Sequence, residues 1–324
     1  MKRRRVGGSG LSVGRLGLGT MTWGSDVDVE TARGLLRVLV DAGGDLVDTA
    51  PAYGGGRAEE LIGRHMRSDL RRDDLVIATK AGFGVRGGQQ GIDTSRRAML
   101  DDLVGSLRRL RTDHVDIWQV HAWGRAPLEE TLAALDQAVN SGMALYVGVC
   151  NHIGWQIGTA ATWQDAVPGR ANLISAQIEY SLLARRAEVE VLPALAHHRM
   201  GLFPWSPLGR GVLTGKYRSG IPRDSRGGRD NLAWFVEPYL DARSSAVVDA
   251  VMRAADGLGM TPAEVALLWV RDAPGVTAPL LGTRTTEQLE ALLAADDKSL
   301  PPPITSALDD ITGGPHQQRR RTTE

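Results

Sequence analysis

Short, almost continuously apolar segments recur along the chain and are separated by segments with helical periodicity. Apolar runs that do not alternate with polar residues are typical of parallel strands that helices cover on both faces. The sequence predicts eight such strands, at residues 15–20, 45–50, 75–80, 115–121, 144–150, 173–180, 201–206 and 275–282.

The segments between these strands have the pattern of amphipathic helices. Residues 29–43 place Leu35, Leu36, Leu39 and Val40 on one face and end at a glycine. Three further segments begin with a capping residue or with a proline suited to a first helical turn: 94–111, 127–142 and 261–273.

Eight strands that alternate with helices predict parallel βαβ units, which most naturally close into a (β/α)8 TIM barrel. The pattern alone also allows an open doubly wound sheet. No linker divides the chain, so residues 1–324 are expected to form a single domain. Residues 208–241, after the seventh strand, are too long and polar for an ordinary connection and indicate a functional loop. The tail from residue 301 to 324 is expected to be frayed or partly disordered.

Composition narrows the classes of function. The chain has 324 residues and a formal net charge of zero, which gives no general attraction for nucleic acid or anionic membranes. No apolar run approaches the ~20 residues that a membrane span needs. The basic first five residues are followed by glycines rather than by an apolar signal region. The single cysteine, Cys150, fits a reducing compartment, so a cytoplasmic protein is expected.

Lysine is rare in this chain. Of 38 basic residues other than histidine, only Lys2, Lys80, Lys216 and Lys298 are lysines. Lys80 ends an apolar strand, where an ammonium has a specific use because its pKa responds to burial, whereas arginine stays charged. Chance accounts well for Lys2 and Lys298 and poorly for Lys80.

Polar residues stand at the carboxyl ends of several predicted strands, where a barrel places its active site. They are Asp48, Lys80, His121, Cys150, Asn151 and Gln177, and Tyr53 follows the second strand closely. One such residue is often only a satisfied structural group. Several at corresponding ends of successive strands indicate a shared site.

This set of residues suits the reduction of a carbonyl group. A tyrosine has an ordinary pKa of ~10, and a neighbouring ammonium lowers that pKa by favouring the phenolate. Asp48 can supply the counter-charge that a buried Lys80 needs, and His121 can hold the substrate oxygen. Tyr53 could then donate a proton to the alkoxide that forms when a ketone or aldehyde accepts a hydride.

Several sequence blocks resemble those of the aldo-keto reductase family. They stand in the family's order and cover roughly residues 5–295. The blocks are "DTAPAYGGGRAEELIG", "LVIATK", "VDIWQVH", "YVGVCNH", "QIEYSLL", "PWSPLGRGVLTGKY" and "PLLGTRTTEQLE".

The resemblance implies a (β/α)8 barrel with an N-terminal β-hairpin at about residues 3–14. It places the family's catalytic tetrad on Asp48, Tyr53, Lys80 and His121. It also implies an oxidoreductase that reduces an aldehyde or ketone to an alcohol, with NADPH bound extended and without a Rossmann fold. The expected partner is a small-molecule carbonyl substrate.

The resemblance also assigns the cofactor contacts. Gly19, Thr20 and Met21 would lie beside the nicotinamide, Asn151 and Gln177 would hold its carboxamide, and Trp205 would stack on its ring. The pyrophosphate would follow Ser206, Leu208, Gly211 and Lys216, and the 2′-phosphate would meet Arg284 and Gln288 at a helix N-terminus. The remaining predicted cofactor contacts are Asp48, Cys150, Arg226 and Gly282.

The chain departs from the family's pattern at three places. Cys150 replaces the usual serine, and a thiol is a weak hydrogen-bond donor, which puts one carboxamide contact in doubt. Ala291 and Leu292 replace a Glu-Asn pair, so adenine recognition is expected to be weaker. Trp123 follows His121 closely and, with Trp23, is expected to form a wall of the substrate pocket.

Two other functions remain open at this point. Potassium-channel beta subunits share the fold and bind the cofactor with little turnover, but they look degenerate where this chain has His121. An NADP-dependent enzyme with an open sheet is a weaker alternative. Residues 82–87 match a dinucleotide-binding glycine pattern but are not followed by an apolar helix, so a loop is expected there. No metal-ligand spacing occurs.

Overall fold

The structure, a computed structural model, describes residues 1–86, 88–230 and 232–313. Eight parallel strands form a barrel: β1 (Gly17–Gly19), β2 (Leu46–Asp48), β3 (Val76–Ala81), β4 (Val115–Val120), β5 (Ala144–Cys150), β6 (Leu173–Glu179), β7 (Gly201–Trp205) and β8 (Leu280–Leu281). Their spatial order is β7-β6-β5-β4-β3-β2-β1-β8. The predicted barrel is therefore confirmed, and the open sheet is wrong.

The barrel closes between β7 and the segment that leads into β8. Leu202 pairs with Val276 in a parallel bridge. The Leu202 amide donates to the Gly275 carbonyl at 3.1 Å, and the Thr277 amide donates to the Leu202 carbonyl at 2.8 Å. Pro279 has no amide hydrogen to donate, and this helps to explain why regular pairing of β8 is confined to two residues.

Helices surround the barrel. They are α1 (Val29–Asp41), α2 (Arg57–Ser68), α3 (Arg96–Leu110), α4 (Leu128–Asn140), α5 (Gly154–Asp165), α6 (Ala187–His197), α7 (Ala233–Val236), α8 (Ala242–Leu258), α9 (Pro262–Arg271), α10 (Thr286–Leu293) and α11 (Pro302–Thr312). Side-chain caps begin several of them: Asp28 accepts from the Thr31 amide, and Thr261 accepts from the Glu264 amide directly before Pro262.

Two antiparallel hairpins complete the fold. Arg3–Arg5 pairs with Ser12–Gly14, as predicted. Val6 and Val13 belong to the same buried cluster as side chains of the barrel strands, so this hairpin covers one end of the barrel. The second hairpin pairs Phe83–Arg86 with Gln89–Ile92. Of the expected loop at residues 82–87, residues 83–86 are therefore a strand, and residue 87 lies outside the described residues.

The expectation of a frayed tail from residue 301 is wrong for its first part. Pro302–Thr312 is the helix α11, which ends at Gly313 with a positive φ of 69°. The indole of Trp269 donates to Asp309 at 3.1 Å, and Arg185 donates to the Thr312 hydroxyl at 2.6 Å. These contacts hold α11 against the helical layer. Residues 314–324 lie outside the described residues.

Candidate active site

Four polar side chains converge at the carboxyl ends of β2, β3 and β4. The Lys80 ammonium donates to both carboxylate oxygens of Asp48 at 2.8 Å, and it lies 3.1 Å from the Tyr53 hydroxyl. The rings of Tyr53 and His121 meet edge to face, with centroids 6.2 Å apart. Lys80 is fully buried. The residues that the sequence predicted as a tetrad therefore form one cluster.

Burial has the largest effect on the pKa of the acid candidate. It raises the pKa of Tyr53 to about 12, and the opposing effect of Lys80 does not cancel this rise. The expectation of a net lowering of this pKa is therefore wrong, because the loss of hydration destabilises the phenolate more than the Lys80 ammonium stabilises it. Tyr53 keeps its proton at neutral pH and can act as a donor.

The states of Lys80 and His121 follow from their surroundings. Burial by itself lowers the pKa of Lys80, but the negative charge of Asp48 and its hydrogen bonds to the ammonium outweigh burial and raise that pKa, so the ammonium persists. Burial, with added repulsion from Lys80, lowers the pKa of His121 to about 3. His121 is therefore a neutral imidazole, and its buried Nδ1 has no hydrogen-bond partner among the described residues.

The turn that carries Tyr53 depends on its glycines. Gly54, Gly55 and Gly56 have φ values of 58°, 66° and 95°, which residues other than glycine rarely adopt. A Cβ at Gly54 would lie 2.8 Å from the Trp23 carbonyl oxygen. These three residues reverse the chain tightly between β2 and α2, which brings Tyr53 back over Lys80.

A cavity of about 1060 Å³ opens above this cluster. Asp48, Tyr53 and His121 line it, whereas Lys80 lies beneath them. The other predicted cofactor residues all line the same cavity: Gly19, Thr20, Met21, Cys150, Asn151, Gln177, Trp205, Ser206, Leu208, Gly211, Lys216, Arg226, Gly282, Arg284 and Gln288.

One end of the cavity is linked to the tetrad by side-chain hydrogen bonds. Gln177 donates to Asp48 Oδ1 at 2.7 Å. Asn151, which has a positive φ of 57°, donates to the His121 carbonyl at 3.1 Å and accepts from the Trp205 indole at 3.0 Å. Burial raises the pKa of Cys150 to about 12, so it remains a thiol.

A cluster of cations lies elsewhere in the cavity. Burial lowers the pKa of Lys216, and repulsion from Arg226 and Arg284 adds to that lowering. Burial likewise lowers the pKa of Arg226, with Arg284 adding repulsion. Arg284 donates to the backbone carbonyl of Asp224 at 2.7 Å. Mutual repulsion among an exposed lysine and two partly buried arginines that line one cavity indicates a place for a strongly anionic group, and phosphates fit it.

The predicted functional loop forms a wall of the cavity through residues that the motifs did not single out. Arg210, at a positive φ of 58°, makes two hydrogen bonds of 2.7 Å with the Glu179 carboxylate. It also donates to the Phe235 carbonyl at 2.7 Å, and its guanidinium lies 4.2 Å from the centroid of the Phe235 ring. Phe235 stacks on Trp205, and Trp234 lines the cavity beside it.

Phe83 is a further cavity residue that was missed. Its ring meets the His121 ring edge to face, with centroids 5.1 Å apart. The sequence gives one indication of this role, because Phe83 stands three residues after Lys80, which ends a predicted strand.

Neither tryptophan that was predicted as a substrate wall lines the cavity. Trp23 is fully buried, because the turn in which its amide donates to the Thr20 carbonyl directs the ring into the core. Trp123 packs edge to face against His152 and Trp155. The prediction that Trp23 and Trp123 form a wall of the substrate pocket is therefore wrong.

The part of the chain that the structure describes contains neither a metal site nor a membrane-spanning helix. No group of three or more histidine, cysteine or acidic side chains there is arranged to hold a metal ion. None of the helices described has both the length and the apolar character needed to cross a membrane.

Comparisons with known proteins give the chain's relatives. Residues 15–312 match the Aldo/keto reductase family. A "Probable voltage-gated potassium channel subunit beta" of Oryza sativa subsp. japonica is 37% identical over 314 residues, covering 91% of this chain and 92% of that protein. A protein of the same name from Arabidopsis thaliana is 36% identical and covers 92% of each chain. "Uncharacterized oxidoreductase YrpG" of Bacillus subtilis (strain 168) is 36% identical and covers 97% of each.

Proposed function

Because this chain belongs to the aldo/keto reductase family, we propose that it reduces an aldehyde or ketone to an alcohol, with NADPH as the hydride donor and Tyr53 as the general acid. The carrying observation is the Tyr53 hydroxyl 3.1 Å from a buried Lys80, at the floor of the large cavity. The family and the bacterial oxidoreductase relative support the oxidoreductase class. The choice of NADPH and the role of Tyr53 as the acid go beyond what these relatives support.

Tyr53 provides the proton that the product needs. Its pKa of about 12 keeps the phenol protonated at neutral pH, so the donor is ready before the substrate arrives. The proton passes from the Tyr53 oxygen to the carbonyl oxygen as negative charge builds there. Lys80, 3.1 Å away, stabilises the phenolate that remains, and Asp48 balances the ammonium in the buried interior.

His121 orients the substrate oxygen rather than supplying the proton. An imidazole whose pKa is lowered to about 3 is neutral at pH 7, and a neutral ring can donate one hydrogen bond without becoming an acid. The contacts of its ring with Tyr53 and Phe83 restrict its orientation. A carbonyl oxygen held by Tyr53 and His121 together would be polarised before reduction.

NADPH, when bound, supplies the hydride. Asn151 and Trp205 line the cavity beside the tetrad, where an amide side chain and an aromatic ring would meet the carboxamide and the nicotinamide ring. The cluster of Lys216, Arg226 and Arg284 suits phosphates. The apolar Ala291 and Leu292 line the same cavity and offer adenine no side-chain hydrogen bond. Cofactor affinity is therefore expected to depend strongly on the phosphates.

The test is loss of NADPH absorbance with a set of aldehydes and ketones at neutral pH, with NADH in parallel. Steady turnover of at least one carbonyl compound, faster with NADPH, supports the proposal. Tight NADPH binding without turnover of any compound in the set would reject it.

That rejecting result would favour the second candidate, a cofactor-binding regulatory subunit with little turnover. Two plant relatives carry the name of a probable potassium channel subunit beta, and this is the observation that favours it. The Lys80–Asp48 ion pair beside the Tyr53 hydroxyl, with His121 present in the same cluster, favours the enzyme.

A further inference from the structure

Glu59 is a buried carboxylate directly behind the turn that carries Tyr53. It lies in the first turn of α2, and its side chain is fully buried. One carboxylate oxygen accepts from the Thr79 hydroxyl at 2.7 Å, and the other accepts from Arg109 Nε at 2.7 Å. Thr79 is the residue before Lys80 on β3. Glu59 therefore joins the start of α2 to the strand that holds Lys80.

The turn itself has little intrinsic rigidity. Three successive glycines follow Tyr53, and glycine has the largest backbone freedom of any residue. The 3.1 Å contact between Tyr53 and Lys80 therefore has to be fixed from outside the turn. A Cβ at Gly56 would lie 2.6 Å from Arg109 Cδ, so the Arg109 side chain packs directly on the turn.

Arg109 fixes the turn from the α3 side. A Cβ at Gly63 would lie 2.3 Å from the Arg109 carbonyl oxygen, so α2 and α3 approach each other closely at this level. The hydrogen bonds of Glu59 with Arg109 and Thr79 thus connect α3, α2 and β3. Hydrogen bonds to a charged group, and those in the buried interior, are stronger than bonds between neutral groups in water. None of the three side chains lines the cavity.

We propose that Glu59 is a positioning residue for the reaction: through Thr79 and Arg109 it holds the Tyr53 hydroxyl against Lys80. The role rests on the proposed function, in which Tyr53 is the general acid. Glu59 contacts neither substrate nor cofactor, so its effect is on the proton-transfer geometry and not on binding. Small displacements of a catalytic group are costly, up to roughly a hundredfold in rate for 1 Å.

The primary experiment compares Glu59→Gln with Glu188→Gln. The amide of Glu59→Gln keeps the shape of the side chain but removes its charge and one of its two acceptor oxygens, so the bond from Arg109 is weakened and the bond with Thr79 has to reverse its direction. Glu188→Gln is the matched control, because Glu188 accepts two hydrogen bonds from Arg185, at 2.7 and 2.9 Å, away from the tetrad. Three quantities are measured for each variant: turnover, NADPH affinity, and the isotope effect on kcat when the transferred hydride of NADPH is replaced by deuteride. Active sites are counted by NADPH titration.

Glu59→Gln is expected to lower kcat per active site about tenfold, with NADPH affinity unchanged. The isotope effect should rise, because the chemical step then limits turnover more completely. Glu188→Gln should leave all three values at the wild-type level. An equal fall in both variants, an unchanged isotope effect or an unaltered kcat in Glu59→Gln would each overturn the proposal.

A second measurement does not depend on turnover. The chain has five tyrosines, so ¹³Cζ-labelled tyrosine gives few signals, and Tyr53→Phe identifies the one from Tyr53. Glu59→Gln and Thr79→Val should both shift that signal, and Glu188→Gln should not. If wild type reduces no carbonyl but the signal shifts, the proposed reaction fails and the positioning role stands. An unshifted signal in both variants removes the positioning role.

Discussion

Lys80 and Asp48 are joined by two hydrogen bonds of 2.8 Å inside the barrel, where Lys80 is fully buried and Asp48 nearly so. Gln177 adds a third contact to Asp48 at 2.7 Å, and the Thr49 carbonyl accepts from Lys80 at 3.0 Å. Both charges are thus fully hydrogen-bonded, which is the condition under which a buried ion pair is tolerated. Removing one partner should therefore be worse than removing both.

Lys80→Met should reduce the free energy of unfolding by roughly 3–5 kcal/mol, because it leaves the Asp48 carboxylate buried without its counter-charge. The double variant Lys80→Met/Asp48→Asn should recover much of this loss while remaining inactive. Urea denaturation of the two variants and of wild type measures the difference. Equal destabilisation of the single and double variants would show that the ion pair is not the source of the effect.

Tyr53→Phe should abolish most carbonyl reduction while NADPH affinity stays close to wild type. A positioned proton donor contributes typically ~10²–10⁴-fold, and the phenol is placed to act on the substrate oxygen. Turnover of a reactive aldehyde and a cofactor titration measure the two effects separately.

Tyr146→Phe is the control for this variant, because Tyr146 packs against the core cluster shared by the barrel and the N-terminal hairpin and does not line the cavity. It should keep wild-type turnover. Undiminished turnover in Tyr53→Phe would eliminate Tyr53 as the general acid.

The barrel could be predicted because its strands are buried on both faces and so form continuous apolar runs. The C-terminal helix was not predicted, because chain ends are commonly frayed and residues 301–324 were expected to be so. The run Pro301, Pro302 and Pro303 could have indicated its start. Proline is in fact well suited to the first turn of a helix, where its missing amide hydrogen has no partner to lose, and Gly313 ends the helix at a positive φ.

The convergence of the tetrad could be predicted because strand ends meet at one rim of a barrel. The wall built by Arg210, Trp234 and Phe235 could not, since it depends on how a long loop folds back on Glu179 at the end of β6. The net pKa shift of Tyr53 could also not be predicted from the sequence, because it depends on how completely the fold excludes water from the hydroxyl. Trp23 shows the same limit, since a nearby turn directs its ring into the core rather than into the cavity.

Acid should destabilise the fold through two buried histidines. Burial lowers the pKa of His121 to about 3 and of His152 to about 4, from an ordinary value of 6.5. Below pH 6.5 the unfolded chain binds protons that the folded protein does not. The stabilisation is therefore complete above pH 6.5 and is lost as pH falls, by up to about 1.4 kcal/mol per pH unit for each histidine.

Urea denaturation at pH 7.5, 6.0 and 5.0 measures this dependence. His121→Asn and His152→Asn should each remove about half of the decline between pH 6.0 and 5.0, whatever their effect at pH 7.5. A decline that neither substitution reduces would mean that other groups cause the acid sensitivity.

Arg284 should decide the choice of NADPH over NADH. The 2′-phosphate adds negative charge, and Arg284 stands just before α10 and close enough to Lys216 to lower that lysine's pKa. A charge-assisted hydrogen bond contributes about 1.5–3 kcal/mol, so Arg284→Ala should weaken NADPH binding roughly ten- to a hundredfold and leave NADH binding nearly unchanged. Arg253→Ala, at an exposed position of α8 outside the cavity, should change neither affinity. Both cofactors are titrated into all three proteins. Equal losses for NADH and NADPH in Arg284→Ala, or a wild type that prefers NADH, would refute both the phosphate site and the proposed cofactor.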